Sequence, residues 1–146
     1  MTYIGIDPGK KGGIAVIDEC GAVIAYPYSE EILIDVIKAV LCSTYKITAA
    51  VEKVGAMPGQ GVTSMFTFGT GYGYIQGVLS ALSIPYQLIP PKKWKSEYSL
   101  GSDKKQSIKT CRRLFPDLDL VPNGCRKEND GMAEATLIAE YARRNF

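Results

Sequence analysis

Four acidic residues stand out by position rather than by number. Asp7 closes the apolar run Tyr3-Ile4-Gly5-Ile6, and Glu52 closes the run Thr48-Ala49-Ala50-Val51. Both runs read as strands, rich in β-formers and nearly free of charge. If the two strands pair in parallel, both carboxylates emerge at one edge of a sheet, where open α/β sheets hold their ligands. Asp130 and Glu134 lie four residues apart in a helical pattern and so share one helix face. Four carboxylates docked together repel unless a cation joins them. Mg²⁺ or Mn²⁺, hard ions that take carboxylate and water oxygens, would resolve the repulsion. Two such ions, about 3.5–4 Å apart, can activate a water and stabilise the leaving oxygen of a phosphodiester. Taken singly, each acid has an ordinary explanation. Asp7 before Pro8-Gly9 suits a turn, Asp130 suits a helix cap, and Glu134 suits a solvated helix face.

Absent residue types narrow the chemistry further. The chain has no histidine, which excludes a Ser-His-Asp or Cys-His nucleophile and a Cys/His zinc site. The four cysteines, Cys20, Cys42, Cys111 and Cys125, form no C-x-x-C pair. Cys42 and Cys111 fall in apolar helical patterns and are expected to be buried thiols. Acid–base work is left to carboxylates, lysines, tyrosines or water. A net charge of +2 does not by itself announce a polyanion as partner. The cations are nonetheless clustered, at Lys92-Lys93 with Lys95, at Lys104-Lys105 with Lys109 and Arg112-Arg113, and at Arg143-Arg144. Such clusters call for solvent or an anionic partner. Met1 leads straight into the first strand, and no apolar run is long enough to cross a bilayer, so a cytoplasmic, reduced protein is expected.

The elements that must position these residues follow from pattern. Strands are expected at Tyr3 to Asp7, Ile14 to Ile17 and Ala22 to Tyr28, joined by the turns Pro8 to Gly13 and Asp18 to Gly21. Ser29 is a candidate N-cap, followed by Glu30-Glu31 and a helix ending near Ser43. Thr48 to Glu52 is a fourth strand, central and parallel to the first. Val54 to Thr63 reads as a loop and Ser64 to Leu82 as a helix. Its Gly69, Gly71, Gly73 and Gly77 suggest close approach of another backbone, a packed helix slightly ahead of a nucleic-acid strand. Tyr86 to Ile89 is a fifth strand, and helices are expected over Lys104 to Phe115 and Asp130 to Arg144. The order βββαβαβαα over residues 1–146 gives one α/β domain, a mixed five-stranded sheet with three antiparallel and two parallel strands, flanked by helices.

Ile4-Gly5-Ile6-Asp7-Pro8-Gly9 resembles the opening strand of RuvC-type Holliday junction resolvases, within the ribonuclease-H-like superfamily. Val51-Glu52 is similar to that family's second acidic strand, and Asp130-Gly131-Met132-Ala133-Glu134-Ala135 to its acidic C-terminal helix. Lys92-Lys93-Trp94-Lys95 and Asp103 to Ile108 resemble basic segments of phage and related resolvases. The likeness covers nearly the whole chain, in order. Bacterial members commonly carry the last two acids three residues apart, both as Asp. Here the spacing is four and the second is Glu, which keeps one helix face and adds reach.

The resemblance implies a ribonuclease-H-like fold and a homodimer that binds four-way DNA junctions and makes paired nicks. It implies Mg²⁺, or Mn²⁺, as two ions held by Asp7, Glu52, Asp130 and Glu134. DNA contacts are expected at Lys10, Lys53, Met57, Gln60, Lys92, Lys93, Lys95, Lys104, Lys105 and Lys109. Met57, in the loop after Glu52, is a candidate wedge between bases. Phe66 and Phe68 are alternatives, though helical aromatics more often serve the core, and Trp94 is expected to cover the core. The helix around Gly69 to Gly77, with Ile75, offers a dimer surface. Two other readings remain open: a related nuclease acting on other branched DNA or on RNA, and an inactive junction-binding module.

Overall fold

The computed structural model describes residues 1–44 and 46–146. Strands β1 (Thr2–Asp7), β2 (Gly13–Ile17) and β3 (Val23–Pro27) form an antiparallel meander. Helix α1 (Glu30–Ser43) follows, then β4 (Ile47–Glu52), α2 (Val62–Ala81) and β5 (Tyr86–Ile89). Three helices close the chain: α3 (Pro91–Glu97), α4 (Lys104–Leu114) and α5 (Asp130–Asn145). The sheet order is β3-β2-β1-β4-β5, with β1, β4 and β5 parallel. This is the mixed sheet expected from the sequence, with β1 at its centre. Among the described residues, no helix is long and apolar enough to cross a membrane.

Local signals account for most boundaries. Ser29 caps α1 by accepting a hydrogen bond from the Ile32 amide, and Glu30 and Glu31 occupy its first turn. The Asn129 side chain caps α5 by accepting from the Met132 amide at 2.9 Å, which makes Asp130 the first helical residue rather than the cap. Helix α3 is an addition to the expected order. Pro91 stands at its N-terminus, where a missing amide hydrogen leaves nothing unsatisfied, and fully buried Trp94 holds it down. Helix α2 starts two residues earlier than expected, taking in Val62 and Thr63.

The alternation of β1 sorts its residues between two layers. Ile4 and Ile6 face α1 and α2 and join Leu33, Ile37, Val51, Ile75 and Leu79 in one core. Tyr3, Gly5 and Asp7 face the other side, where α5 crosses the sheet. Gly5 makes that crossing possible: a Cβ there would lie 2.1 Å from the Ala135 carbonyl oxygen and 2.4 Å from the Ala139 nitrogen. Gly13 and Gly131 meet in the same way, backbone against backbone. The second core, with Trp94, Tyr98, Cys111, Leu137, Ile138 and Tyr141, packs α3 and α4 against the outer side of α5. Residues 131–142 of α5 are therefore buried all round, which its alanines permit.

Several expectations about individual residues are corrected. Within the chain the glycines of α2 have no close neighbour, since a Cβ at Gly69, Gly71, Gly73 or Gly77 would meet no other atom within 4 Å. The close approaches lie instead along α5. Ile75 is fully buried in the core under α2 and offers nothing to a partner surface. Phe66 is 77% exposed rather than in the core, since it projects from the outer side of α2 near Val62. Cys111 is buried as expected, but Cys42 lies on the outer face of α1 and is exposed.

Candidate active site

Asp7 and Glu52 come together through register. The parallel ladder of β1 and β4 aligns Ile6 with Val51, so Asp7 and Glu52 end neighbouring strands side by side. Both side chains fall on the α5 side of the sheet, two residues beyond Gly5 and Ala50. The same close crossing at Gly5, Gly13 and Gly131 brings the first turns of α5 over the strand ends. Glu134, one turn into that helix, is only 6% exposed.

The three carboxylates feel one another. Burial raises the Asp7 carboxyl from its ordinary 3.8 to about 8, and the charges of Glu52 and Glu134 push it the same way. Glu52 is also raised by burial, partly offset by a hydrogen bond from Trp94 and by the positive charge of Lys95. Asp7, Glu52 and Glu134 thus form one acidic patch. Asp130 sits at its rim, half-buried, and turns to Lys104, whose Nζ lies 2.6 Å from its Oδ2. Lys104 is raised by that hydrogen bond and further by Glu134 and Asp7, so all four acids bear on a common electrostatic field.

Three of the acids, Glu52, Glu134 and Asp130, have protein partners. Trp94 Nε1 donates to Glu52 Oε2 at 2.8 Å. Ser107 Oγ donates to Glu134 Oε1 at 3.2 Å, and Lys95 Nζ is 3.5 Å from the same oxygen. Trp94 fills the core as expected and, in addition, fixes an acid. Lys95 and Lys104, expected to contact DNA phosphates, stand against carboxylates. Ser107 carried no signal beyond its place one turn after Lys104.

As the side chains stand, no group of three or more His, Cys, Asp or Glu among the described residues is set as ligands around one point. Glu52, Glu134 and Asp130 are each held by a donor or a lysine. The donor set itself, carboxylates at the ends of two central strands, suits a hard divalent cation. Mutual repulsion around Asp7 is what such an ion would relieve.

The remaining expected contacts lie on the surface. Lys10, Lys53, Met57, Gln60, Lys92, Lys93, Lys105 and Lys109 are all exposed. Met57 is 65% exposed, on the loop that follows Glu52. Phe68, by contrast, is half-buried, its ring lying over Gly9, where a Cβ would come within 3.1 Å of it.

No family model matches the sequence, and no curated protein matches it. Solved structures do. The fold is the five-stranded ribonuclease-H-like fold of RuvC-type Holliday junction resolvases. It is similar to Thermus thermophilus RuvC in complex with a Holliday junction substrate, with a TM-score of 0.62 and 15% identity, covering 99% of this chain and 97% of that one. Another structure of Thermus thermophilus RuvC matches at a TM-score of 0.58 and 17% identity, over 99% and 96%. The yeast mitochondrial Holliday junction resolvase Ydc2 matches at 0.55 and 17% identity, over 94% of this chain and 75% of that one.

Proposed function

We propose that this chain is a RuvC-type nuclease that resolves four-way DNA junctions by metal-assisted hydrolysis. The observation that carries the reading is the placement of Asp7 and Glu52 at the ends of two neighbouring parallel strands, with Glu134 buried on the helix that crosses them. The likeness to solved resolvases adds a fold in which that chemistry is housed.

Asp7, Glu52 and Glu134 would hold Mg²⁺, or Mn²⁺ in its place, with Asp130 joining once it leaves Lys104. When bound, two such ions lower the pKa of a water and neutralise charge on the phosphodiester. The chain's own residues set the stage for this. Trp94 and Ser107 orient the Glu52 and Glu134 carboxylates. Lys95 and Lys104 balance negative charge at the rim. Exposed Lys10, Lys53, Lys92, Lys93, Lys105 and Lys109, with Gln60, provide contacts to the DNA backbone, and Met57 a wedge.

Resolution by paired nicks needs two such sites, so the active form is a homodimer. The outer side of α2, with Val62 at 85% and Phe66 at 77% exposure and open glycines beyond them, is the surface for it. All four cysteines are free thiols, in keeping with a cytoplasmic setting.

The deciding experiment is nicking of a synthetic four-way junction, with linear duplex, a flap and an RNA–DNA hybrid as competitors, in Mg²⁺ and in EDTA. Junction cleavage that stops in EDTA and in Asp7→Asn is the expected result. Cleavage indifferent to EDTA overturns the metal mechanism. Equal cutting of all substrates leaves a broader nuclease, and tight junction binding without turnover in Mg²⁺ or Mn²⁺ leaves a binding module.

A further inference from the structure

The segment between α4 and α5 has no regular structure, yet it is well fixed. Leu120 is 2% exposed and anchors it in the core. The Asn129 amide donates to the Leu120 carbonyl at 2.8 Å, and the Cys125 amide to the Pro122 carbonyl at 2.9 Å. Arg112 of α4 and Glu128 form an ion pair that ties the segment to the helix. Between these ties, the exposed pair Arg126-Lys127 projects over a trough.

Two adjoining concavities, of about 530 and 700 Å³, share Arg126, Lys127 and Glu128 in their lining. One opens at Lys10, Lys11 and Asp130, at the rim of the acidic patch. The other runs along α4, past Lys105, Lys109 and Arg112, which lie on one face of that helix. Their two acids are both engaged, Glu128 with Arg112 and Asp130 with Lys104. Lys10, Lys11, Lys105, Lys109, Arg126 and Lys127 make no ion pair among the described residues. Six unpaired cations lining these concavities repel one another, and a low-dielectric groove focuses that field outward. A linear polyanion of regular charge spacing would satisfy it.

We infer that this trough, with Arg126 and Lys127 as its outer wall, binds the phosphodiester backbone of the DNA strand leaving the carboxylate site. The inference rests on the proposed nuclease function and adds to it a contact surface on the segment before α5. Phosphate contacts of this kind fix register without reading sequence. The rigid ties at Leu120, Asn129 and Glu128 mean that the wall is in place before the strand arrives, so little ordering opposes binding.

The test is the salt dependence of junction binding, measured in EDTA so that no strand is cut. Each phosphate neutralised contributes about 0.9 to the slope of log K against log salt concentration. Arg126→Ala with Lys127→Ala should therefore flatten the slope by about 1.8, weaken binding at low salt, and leave the melting temperature unchanged. Lys38→Ala with Lys46→Ala, two exposed cations remote from the trough, should leave the slope as in the unaltered chain. Arg126→Lys with Lys127→Arg should keep it too. An unaltered chain that binds neither junction nor duplex overturns the proposed function and this inference together. Normal binding by the unaltered chain, with an unchanged slope in the Arg126/Lys127 alanine variant, overturns this inference alone.

Discussion

Trp94 Nε1 and Glu52 Oε2 are joined by a 2.8 Å hydrogen bond that links the core of the second layer to the end of β4. The indole is fully buried and cannot turn away. It therefore fixes one Glu52 oxygen and leaves the other for a ligand. The bond also favours the ionised carboxylate, against the burial that raises it. Trp94→Phe keeps an aromatic in the site and removes the donor. Burial then acts on Glu52 with less opposition, so its carboxyl is raised further. Partners of metal-holding groups, when removed, typically lower metal affinity or activity about 10–100-fold. Titration of cleavage with Mg²⁺ should show half-saturation displaced upward by that order, with the displacement shrinking as pH rises. Half-saturation unchanged at every pH would mean that the bond positions nothing.

Asp7 is poised against the stability of its own fold. Its carboxyl stands at about 8 in the folded chain, raised by burial and then by Glu52 and Glu134, against 3.8 when exposed. A group raised on folding contributes stability that is fully present below its unfolded value and lost as pH rises through the folded one. Between pH 4 and 8, then, Asp7 makes the metal-free fold progressively less stable. Asp7→Asn keeps the shape and removes the charge. In EDTA at pH 8, the variant should melt above the unaltered chain, by about 2–4 °C for each kcal/mol relieved, and the gap should close toward pH 5. Mg²⁺ should raise the melting temperature of the unaltered chain but not of the variant, which should also fail to cut. Calorimetry across that pH range decides it. A variant less stable than the parent at pH 8 would show that the acids do not repel as their placement implies.

What was legible in the sequence was the placement of Asp7 and Glu52, because each ends an apolar run and the intervening helix forces a parallel crossover. Period-two alternation then puts both on one side of the sheet. The partners of the acids were not legible. Trp94 lies 42 residues from Glu52 and Ser107 lies 27 from Glu134, so neither bond leaves a local trace. Helix α3 was hidden because Pro90-Pro91-Lys92-Lys93 carries no helical period; burial of one tryptophan organises it. Lys95 and Lys104 read as phosphate contacts by composition, whereas tertiary packing turns them toward Glu134 and Asp130. The glycines of α2 meet no close neighbour within the chain. A glycine announces room for a close neighbour, but only the fold decides whether a neighbour comes.

That difference among glycines is testable by adding one methyl group. At Gly131 a Cβ would lie 2.1 Å from the Lys11 carbonyl oxygen and 2.5 Å from the Gly12 carbonyl carbon, both backbone atoms held by the β1–β2 turn and the sheet. Neither can retreat without lifting α5, and with it Glu134, from the strand ends. Gly131→Ala should therefore destabilise the chain by more than about 3 kcal/mol, at the upper end of overpacking effects, and reduce the yield of soluble protein. At Gly73 a Cβ meets nothing within 4 Å, while the helix gains the alanine preference of about 1 kcal/mol. Gly73→Ala should raise the urea midpoint without changing the slope of the transition. The same variant probes α2 as a partner surface. If two copies meet closely along that side, the added methyl should weaken association even as it stabilises each protomer. Sedimentation of parent and variant across a concentration series separates the two effects: an unchanged dissociation constant would place the contact elsewhere on the molecule.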